Sequence, residues 1–170
     1  MAEPTSAGGP PAPPRPGQPQ ADLHWLREAI ELSRRCPPSE SAFSVGAVVV
    51  SDPGKVIATG YSRERDPKDH AEEVALARAA DDPLLTRATL YSSLEPCLAR
   101  ASRPRSCAEL IIEAGIPRVV IAWLEPPLFT AGGGAGVLRR AGVTVVDIPW
   151  LAALARSVNA HLAAEAADDH

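Results

Sequence analysis

Lysine and cysteine are both scarce in this 170-residue sequence, and each scarcity argues against a class of protein. Lys55 and Lys68 are the only lysines among 17 basic residues, and 21 acidic residues give a net charge of −4. That balance argues against nucleic acid or an anionic membrane as the main partner. Three cysteines are an odd number and do not indicate a disulfide framework. Without a secretory signal pattern, a reduced cytosol is favoured, where spaced cysteines are more often metal ligands or catalytic groups.

Long hydrophobic runs are also missing, so the sequence predicts no membrane-spanning helix. Apolar residues make up 45% of the chain and charged residues 22%, which is typical of a globular domain. Residues 1–20 contain seven prolines and three glycines and almost nothing to bury, which predicts a disordered tail. Residues 21–170 are long enough for one domain with its own core.

Hydrophobic periodicity in that domain predicts a hairpin followed by alternating strands and helices. The β-branched run SVGAVVV, the turn DPGK and the run VIATGYS are typical of a β-hairpin. Further strands are predicted at ATLYSSL, RVVIAWL and VTVVDI. A last amphipathic helix is predicted over residues 150–166, with Trp150, Leu154 and Val158 on its apolar stripe. The fold class is therefore α/β, a three-layer α/β/α sandwich with a mixed five-stranded sheet.

Two cysteines lie in the stretch LEPCLARASRPRSCAEL, with nine residues between them. Cys97 follows a predicted strand, and both Cys107 and His70 lie at predicted helix starts. Because helix starts on one face of such a sheet lie side by side at the strands' C-terminal edge, the three side chains can converge. One imidazole and two thiolates leave a fourth tetrahedral position open, as in a catalytic Zn²⁺ site. Buried structural thiols are the alternative.

Glu72, two residues after His70, is the candidate catalytic residue. Zinc lowers the pKa of bound water to about 7. A neighbouring carboxylate can take a proton from that water and return it to a leaving amine. Glu95, which precedes a proline at a strand exit, is instead interpreted as a structural hydrogen-bond acceptor. The run GGGAG lacks the spacing of a dinucleotide-binding loop and is interpreted as a flexible turn near the rim of the site.

The motifs HAE and EPC, followed by a second cysteine, resemble the zinc-dependent cytidine-deaminase superfamily. The cysteine spacing and the segments HAEEVAL and CAELIIEAGIPRVVIA are similar to the pyrimidine deaminase domain of riboflavin biosynthesis, diaminohydroxyphosphoribosylaminopyrimidine deaminase. The resemblance implies a cytidine-deaminase-like fold and a homo-oligomer, a dimer or larger. It also implies a zinc-dependent hydrolase in which Glu72 carries protons and the metal ligands are His70, Cys97 and Cys107. Bacterial members usually carry a reductase domain after the deaminase, and we expect this chain to be a standalone deaminase.

Several positions depart from the pattern of bacterial members. Ala42 and Phe43 stand where those members carry an Asn-Pro pair, and Pro126 and Pro127 stand where an Asn is expected. The segment FSVGA resembles true cytidine deaminases, so Phe43 is a candidate substrate contact. A substrate phosphate would need basic donors, and the loop between the cysteines offers Arg100, Arg103 and Arg105. Solvated arginines of a surface loop are the alternative.

The leading hypothesis is hydrolytic deamination of an aminopyrimidine, specifically the diaminopyrimidinone ribosyl- or ribityl-amino 5′-phosphate of riboflavin biosynthesis. The close alternative is a deaminase of another base or nucleoside, either cytidine- or deoxycytidylate-like or from secondary metabolism. A nucleic-acid deaminase is disfavoured by the acidic balance and by the nine-residue spacing in place of PCxxC. A catalytically inactive partner is disfavoured by the presence of Glu72.

Overall fold

The computed structural model describes residues 11–124 and 133–165 of the chain. Its five strands form one sheet in the order β2-β1-β3-β4-β5. The strands are β1 (Gly46–Ser51), β2 (Val56–Tyr61), β3 (Ala88–Ser92), β4 (Arg118–Ile121) and β5 (Thr144–Asp147). β1 runs antiparallel to both β2 and β3, whereas β3, β4 and β5 are parallel. The predicted hairpin and mixed five-stranded sheet are confirmed.

Helices cover both faces of the sheet. In the described ranges they are α1 (Pro19–Ser33), α2 (Ala71–Ala79), α3 (Cys107–Glu113), α4 (Gly134–Arg140), α5 (Ala152–Val158) and α6 (Ala160–Glu165). α1 and α5 pack on the face to which Val48 and Tyr91 point, and α2, α3 and α4 pack on the face of Val49 and Leu90. The inner strands β1, β3 and β4 are almost entirely buried and are rich in apolar residues, whereas the outer strands β2 and β5 are partly exposed. The predicted three-layer sandwich is confirmed.

A buried ionic contact ties α1 to the sheet. The Tyr91 hydroxyl donates to Asp22 Oδ1 at 2.8 Å, and Arg118 Nη1 donates to the same oxygen at 2.8 Å. Burial raises the pKa of the Asp22 carboxyl, but the hydrogen bonds from Arg118 and Tyr91 outweigh burial and hold that pKa below its usual value. The ionised carboxylate therefore stabilises the contact between α1 and strands β3 and β4.

The prediction of a single helix over residues 150–166 is wrong, because the helix is interrupted at Asn159. α5 ends at Val158 and α6 begins at Ala160. The Asn159 side chain accepts the Ser44 N–H at 2.7 Å and donates to the Ser44 carbonyl at 3.1 Å. This contact with a distant segment fixes Asn159 where the helix is interrupted. Trp150, predicted on the apolar stripe, is 69% exposed.

The N-terminal part of the described chain contacts the domain. α1 begins at Pro19, two residues before the predicted start of the domain, and Trp25 Nε1 donates to the Pro14 carbonyl at 3.0 Å. The first ten residues of the predicted tail lie outside the described residues. None of the helices that the structure describes is both long and apolar enough to cross a membrane.

Candidate metal and active site

His70, Cys97 and Cys107 converge beyond the C-terminal end of β3. Their ligand atoms all lie within 4.8 Å of one another, and Cys107 Sγ is 3.4 Å from His70 Nδ1. His70 is the residue before α2, and Cys107 is the first residue of α3. Cys97 lies in the loop after β3. The convergence predicted from the order of strands and helices is therefore observed.

The start of α3 is built to face Cys97. Ser106 Oγ accepts the Glu109 N–H at 3.2 Å, and the Glu109 carboxylate accepts the Ser106 N–H at 2.7 Å, which forms a capping box. The next N–H, from Cys107, points outward and donates to Cys97 Sγ at 3.2 Å. A helix N-terminus favours negative charge, so this contact stabilises the thiolate form of Cys97.

The pKa values of the two thiols are shifted in opposite directions. A hydrogen bond from the Cys107 side chain lowers the pKa of Cys97, aided by His70 and by the backbone N–H of Cys107. The same hydrogen bond, together with burial, raises the pKa of Cys107. Burial lowers the pKa of His70, but its hydrogen bond to Cys97 and the charge of Glu72 outweigh burial and raise it. The site thus brings together two cysteine sulfurs and an imidazole, all of which can serve as metal ligands.

The donor set fits Zn²⁺. With Zn–S bonds of about 2.3 Å and Zn–N bonds of about 2.0 Å, tetrahedral ligand atoms are about 3.5 to 3.8 Å apart. The 3.4 Å separation between Cys107 Sγ and His70 Nδ1 agrees with that geometry. Three protein ligands leave a fourth position for a water or a substrate, which is the arrangement of catalytic zinc sites. The three residues therefore form a candidate Zn²⁺ site.

Glu72 lies beside this site and is 3% exposed. Burial raises the pKa of its carboxyl group. Ser92 Oγ lies 2.9 Å from Glu72 Oε1 and 2.7 Å from the Leu94 carbonyl oxygen. A hydroxyl has one proton to donate, so Ser92 can donate to only one of the two oxygens at a time. Ser92 was not among the residues predicted from the sequence; its only signal was a hydroxyl at the end of a predicted buried strand.

A cavity of about 380 Å³ opens onto the candidate site. Its volume lies within the range of small-molecule sites. His70, Glu72 and Cys97 line it, together with Phe43 and Lys68. Phe43, the predicted substrate contact, therefore stands in the wall of the cavity, where its ring packs edge-on against another aromatic ring at 5.5 Å.

Two residues that sequence reasoning missed hold the chain around Phe43. Arg63 donates to the carbonyl oxygens of Pro37 and Phe43, at 2.8 and 2.9 Å, and Asn159 bonds the backbone of Ser44. Arg63 has a φ of +58°, a left-handed conformation that non-glycine residues rarely adopt. An arginine in a loop and an asparagine inside a helical pattern carry no sequence signal for this role.

The three predicted phosphate-binding arginines are engaged elsewhere. Arg100 Nη1 and Arg103 Nε donate to the two oxygens of Glu73 at 3.0 and 3.2 Å. Arg105 pairs with Glu113 on the exposed side of α3. The residues lining the cavity, within the described part of the chain, do not include these three arginines.

Glu95 has the structural role predicted for it. Its carboxylate accepts the Ala135 N–H at 3.1 Å, near the start of α4. A Cβ atom on Gly134 would lie 1.9 Å from the Pro96 carbonyl oxygen, so this glycine lets α4 approach the EPC segment. Residues 125–132 lie outside the described residues, and with them Pro126, Pro127 and the first glycine of GGGAG. The interpretation of GGGAG as a flexible turn is wrong for the rest of the run, because Gly133 caps α4 and Gly134–Gly136 form its first turn.

Three comparisons relate the chain to known proteins. Residues 19–123 match the family model described as the cytidine and deoxycytidylate deaminase zinc-binding region. The chain is 40% identical over 126 residues to the diaminohydroxyphosphoribosylamino-pyrimidine deaminase of Schizosaccharomyces pombe, covering 72% of this chain and 31% of that protein. It is 38% identical over 141 residues to the riboflavin biosynthesis protein RibD of Aquifex aeolicus, covering 82% and 38% respectively. The chain thus spans about a third of the length of these curated relatives.

Solved structures give the same picture of the fold. RibD of Acinetobacter baumannii (form 1) superposes with a TM-score of 0.68 at 34% identity, covering 82% of this chain and 38% of that one. A C-terminal deletion mutant of the Aspergillus oryzae Rib2 deaminase gives a TM-score of 0.67 and covers 84% and 97%. At 23% identity, the second likeness shows the fold alone.

Proposed function

Since this chain belongs to the family of the cytidine and deoxycytidylate deaminase zinc-binding region, we propose that it hydrolytically deaminates an aminopyrimidine. One observation carries the proposal. The buried carboxylate of Glu72 lines the same cavity as His70 and Cys97, which with Cys107 form the candidate Zn²⁺ site. A nucleophile and a proton carrier can therefore reach the same face of a bound ring.

The substrate we propose is the diaminopyrimidinone ribosyl- or ribityl-amino 5′-phosphate of riboflavin biosynthesis. This choice is supported by the similarity to the S. pombe diaminohydroxyphosphoribosylamino-pyrimidine deaminase and to the A. aeolicus riboflavin biosynthesis protein RibD. The alternative, a different base or nucleoside, is supported by Phe43, which places an aromatic ring in the cavity wall where bacterial relatives carry an Asn-Pro pair. Both substrates need the same chemistry at the carbon that bears the amino group.

Each residue of the candidate site has a distinct role in the proposed reaction. Bound Zn²⁺ would supply an acidified water as the nucleophile near neutral pH. Glu72 takes the proton of that nucleophile and delivers it to the amino group, which leaves as ammonia. Ser92 orients the Glu72 carboxylate through their 2.9 Å contact. The capped start of α3 holds Cys107 and faces Cys97, which keeps both thiolates in place.

We propose a single deaminase domain over residues 21–170, which is supported by the continuous sheet.

We infer further that the protein acts as a cytosolic homo-oligomer, as the family resemblance suggests. Light scattering on the zinc-loaded protein tests the assembly, because a dimer or a larger oligomer has a mass that is a multiple of the 17.8 kDa chain. A mass of one chain at micromolar concentration would contradict the oligomer.

The first experiment measures ammonia release by the zinc-loaded protein. The substrates are both pathway pyrimidinone phosphates, cytidine, deoxycytidine monophosphate, cytosine and guanine. The test variant is Glu72→Gln, and the matched control is Glu28→Gln on the exposed face of α1. We expect turnover of a pathway phosphate and a kcat about 10²- to 10⁴-fold lower in Glu72→Gln with zinc retained. Turnover of a different amine alone would support the proposed reaction and contradict the proposed substrate. An unchanged kcat in Glu72→Gln would contradict the proposed role of Glu72.

A further inference from the structure

We propose that Lys68 binds the phosphate of the substrate and that Arg100 positions Lys68 instead of contacting the phosphate itself. The inference rests on the proposed function, because a phosphate is part of the substrate proposed there. It replaces the loop arginines expected from the sequence with a residue from the loop before α2.

Apart from His70, two basic residues line the cavity within the described part of the chain, Arg63 and Lys68. The guanidinium of Arg63 is already used. Its Nε and Nη2 donate to the Pro37 carbonyl at 3.1 and 2.8 Å, and its Nη1 donates to the Phe43 carbonyl at 2.9 Å. If Arg63 turned toward a phosphate, two carbonyl groups of the cavity wall would lose their donors. Arg63 is therefore a structural residue of the wall.

The arginines between the cysteines are neutralised by carboxylates. Arg100 and Arg103 share Glu73, and Arg103 Nη2 also lies 3.6 Å from both Asp66 and Asp69. Arg65 pairs with Asp69 at 3.1 Å, so three guanidinium groups face three carboxylates. A phosphate approaching this cluster would meet three negative charges at close range. The cluster offers no net positive charge to bind it.

Lys68 differs from the arginines because its backbone is fixed while its ammonium is available. Its N–H donates to Asp66 Oδ1 at 2.8 Å, and its carbonyl accepts Arg100 Nη2 at 2.6 Å. Within the described residues, its ammonium makes no ion pair to a carboxylate. A backbone that is already fixed at the cavity wall limits the loop entropy that is lost on binding, and an ammonium is a common phosphate ligand in proteins.

Arg100 has the properties of a positioning residue. Its side chain is only 4% exposed, and it links the Glu73 carboxylate to the Lys68 carbonyl. Its Nε atom is buried without a hydrogen-bond partner. Because the guanidinium is buried and already paired, we infer that Arg100 does not contact a ligand directly. It affects phosphate binding by fixing the backbone of Lys68.

The test measures kcat and KM of the zinc-loaded protein on the phosphorylated pyrimidine and on the same compound without its phosphate. For Lys68→Ala we expect KM of the phosphorylated substrate to rise about 10- to 100-fold, as for loss of a hydrogen bond to a charged group. We expect kcat to stay within about twofold, because the phosphate contact is equal in the ground and transition states. KM of the dephosphorylated compound should not change. Lys68→Arg should restore most of the loss.

The matched control is Lys55→Ala, which removes the other lysine of the chain from the turn between β1 and β2. It should leave both KM values at the wild-type level. A double-mutant cycle separates the two roles, because Arg100→Ala should raise KM in the wild-type background and have little further effect beside Lys68→Ala. Additive effects would mean that Arg100 contacts the phosphate directly, which would overturn its assignment as a positioning residue.

Equilibrium binding keeps this inference separable from the proposed function. By calorimetry, the wild-type protein should bind ribose 5-phosphate more tightly than ribose, and Lys68→Ala should lose that preference. If the wild-type protein deaminates neither pyrimidine but keeps this preference, the proposed substrate fails and the phosphate site stands. Equal affinities in the wild-type and Lys68→Ala proteins, or an equal rise of KM for both pyrimidines, would overturn the role of Lys68.

Discussion

The Glu73 carboxylate is ion-paired at 3.0 Å with Arg100, a residue of the loop between the two cysteines. The other Glu73 oxygen accepts Arg103 Nε at 3.2 Å, and Glu73 also accepts the backbone N–H of His70 at 3.3 Å. One carboxylate thus joins the loop between Cys97 and Cys107 to the start of α2, the helix that directly follows His70. Glu72, its neighbour on α2, faces the cavity instead.

We expect Glu73→Ala to destabilise the protein and weaken zinc binding. The change leaves the buried guanidinium of Arg100 without its carboxylate, and breaking such a pair costs about 2 to 4 kcal/mol after allowance for the 20% exposure of Glu73. Urea unfolding of the metal-free protein measures the stability, and competition with a chelator measures zinc affinity.

The control for this prediction is Glu113→Ala, which removes the partner of Arg105. Those side chains are 48% and 58% exposed, so the loss should stay below about 1 kcal/mol with zinc affinity unchanged. Equal effects of the two changes would show that Glu73 is an ordinary surface ion-pair partner.

Ser92→Ala should lower kcat while zinc stays bound. The change removes the hydroxyl 2.9 Å from Glu72 Oε1, and loss of a hydrogen bond to a charged group corresponds to about 10- to 100-fold. The neighbouring Ser93 accepts the Gly46 N–H at 3.0 Å, and among the described residues its side chain makes no hydrogen bond to Glu72. Ser93→Ala should therefore reduce stability and leave kcat near the wild-type value. A normal kcat in Ser92→Ala would remove Ser92 from the mechanism.

The Asp22 contact should make the stability depend on pH. The folded-state pKa of Asp22 lies below its usual value, so its ionised form stabilises the fold above about pH 4. That stability is lost as the pH falls through the folded-state pKa. At pH 7 we expect Asp22→Asn to lower the free energy of unfolding by about 2 to 4 kcal/mol, because Arg118 loses its charged partner.

Urea unfolding of the wild-type and Asp22→Asn proteins from pH 7 down to pH 3 checks this expectation, and the two curves should converge below pH 4. Asp52→Asn is the control, since Asp52 lies 3.8 Å from Arg87 with both side chains more than half exposed. It should cost less than about 1 kcal/mol at any pH. A constant difference between the wild-type and Asp22→Asn proteins over this range would contradict the role of the ionised carboxylate.

Two glycines of α4 should respond in opposite directions to the same substitution. A Cβ on Gly134 would lie 1.9 Å from the Pro96 carbonyl, so Gly134→Ala should destabilise by about 1 to 3 kcal/mol and disturb the adjacent Cys97. A Cβ on Gly136 would meet only the flexible end of Arg140 at 3.3 Å, so Gly136→Ala should stabilise the helix by about 0.5 to 1 kcal/mol. Thermal unfolding and zinc affinity of the two variants measure the contrast.

The fold and the centre of the site could be predicted from the sequence because both depend on local patterns. The β-branched runs marked the buried strands, and the position of Cys97 and Cys107 after a strand and at a helix start implied convergence with His70. Hydrophobic patterning predicts the inner strands of this sheet, because a strand that is buried on both faces needs apolar residues along its whole length.

What the sequence could not show were contacts between distant polar residues. The break at Asn159 depends on the backbone of Ser44, which is 115 residues away in the chain. Arg100 and Arg103, in the loop between the two cysteines, looked available for a phosphate, but their partner Glu73 lies on α2. Hydrophobic periodicity does not show which charged side chains pair with each other. Ion pairs between distant residues can therefore be assigned only from the three-dimensional structure.

The ion pairs of Glu73 also bear on how the protein exchanges its metal. They join the loop between Cys97 and Cys107 to the start of α2 through side chains that are not metal ligands, so we expect this connection to persist when the metal is removed. An ion that enters a preorganised site has little chain to order. Uptake and release of the metal can then proceed as a local event, and a protein that has given up its zinc to a chelator should recover it without refolding.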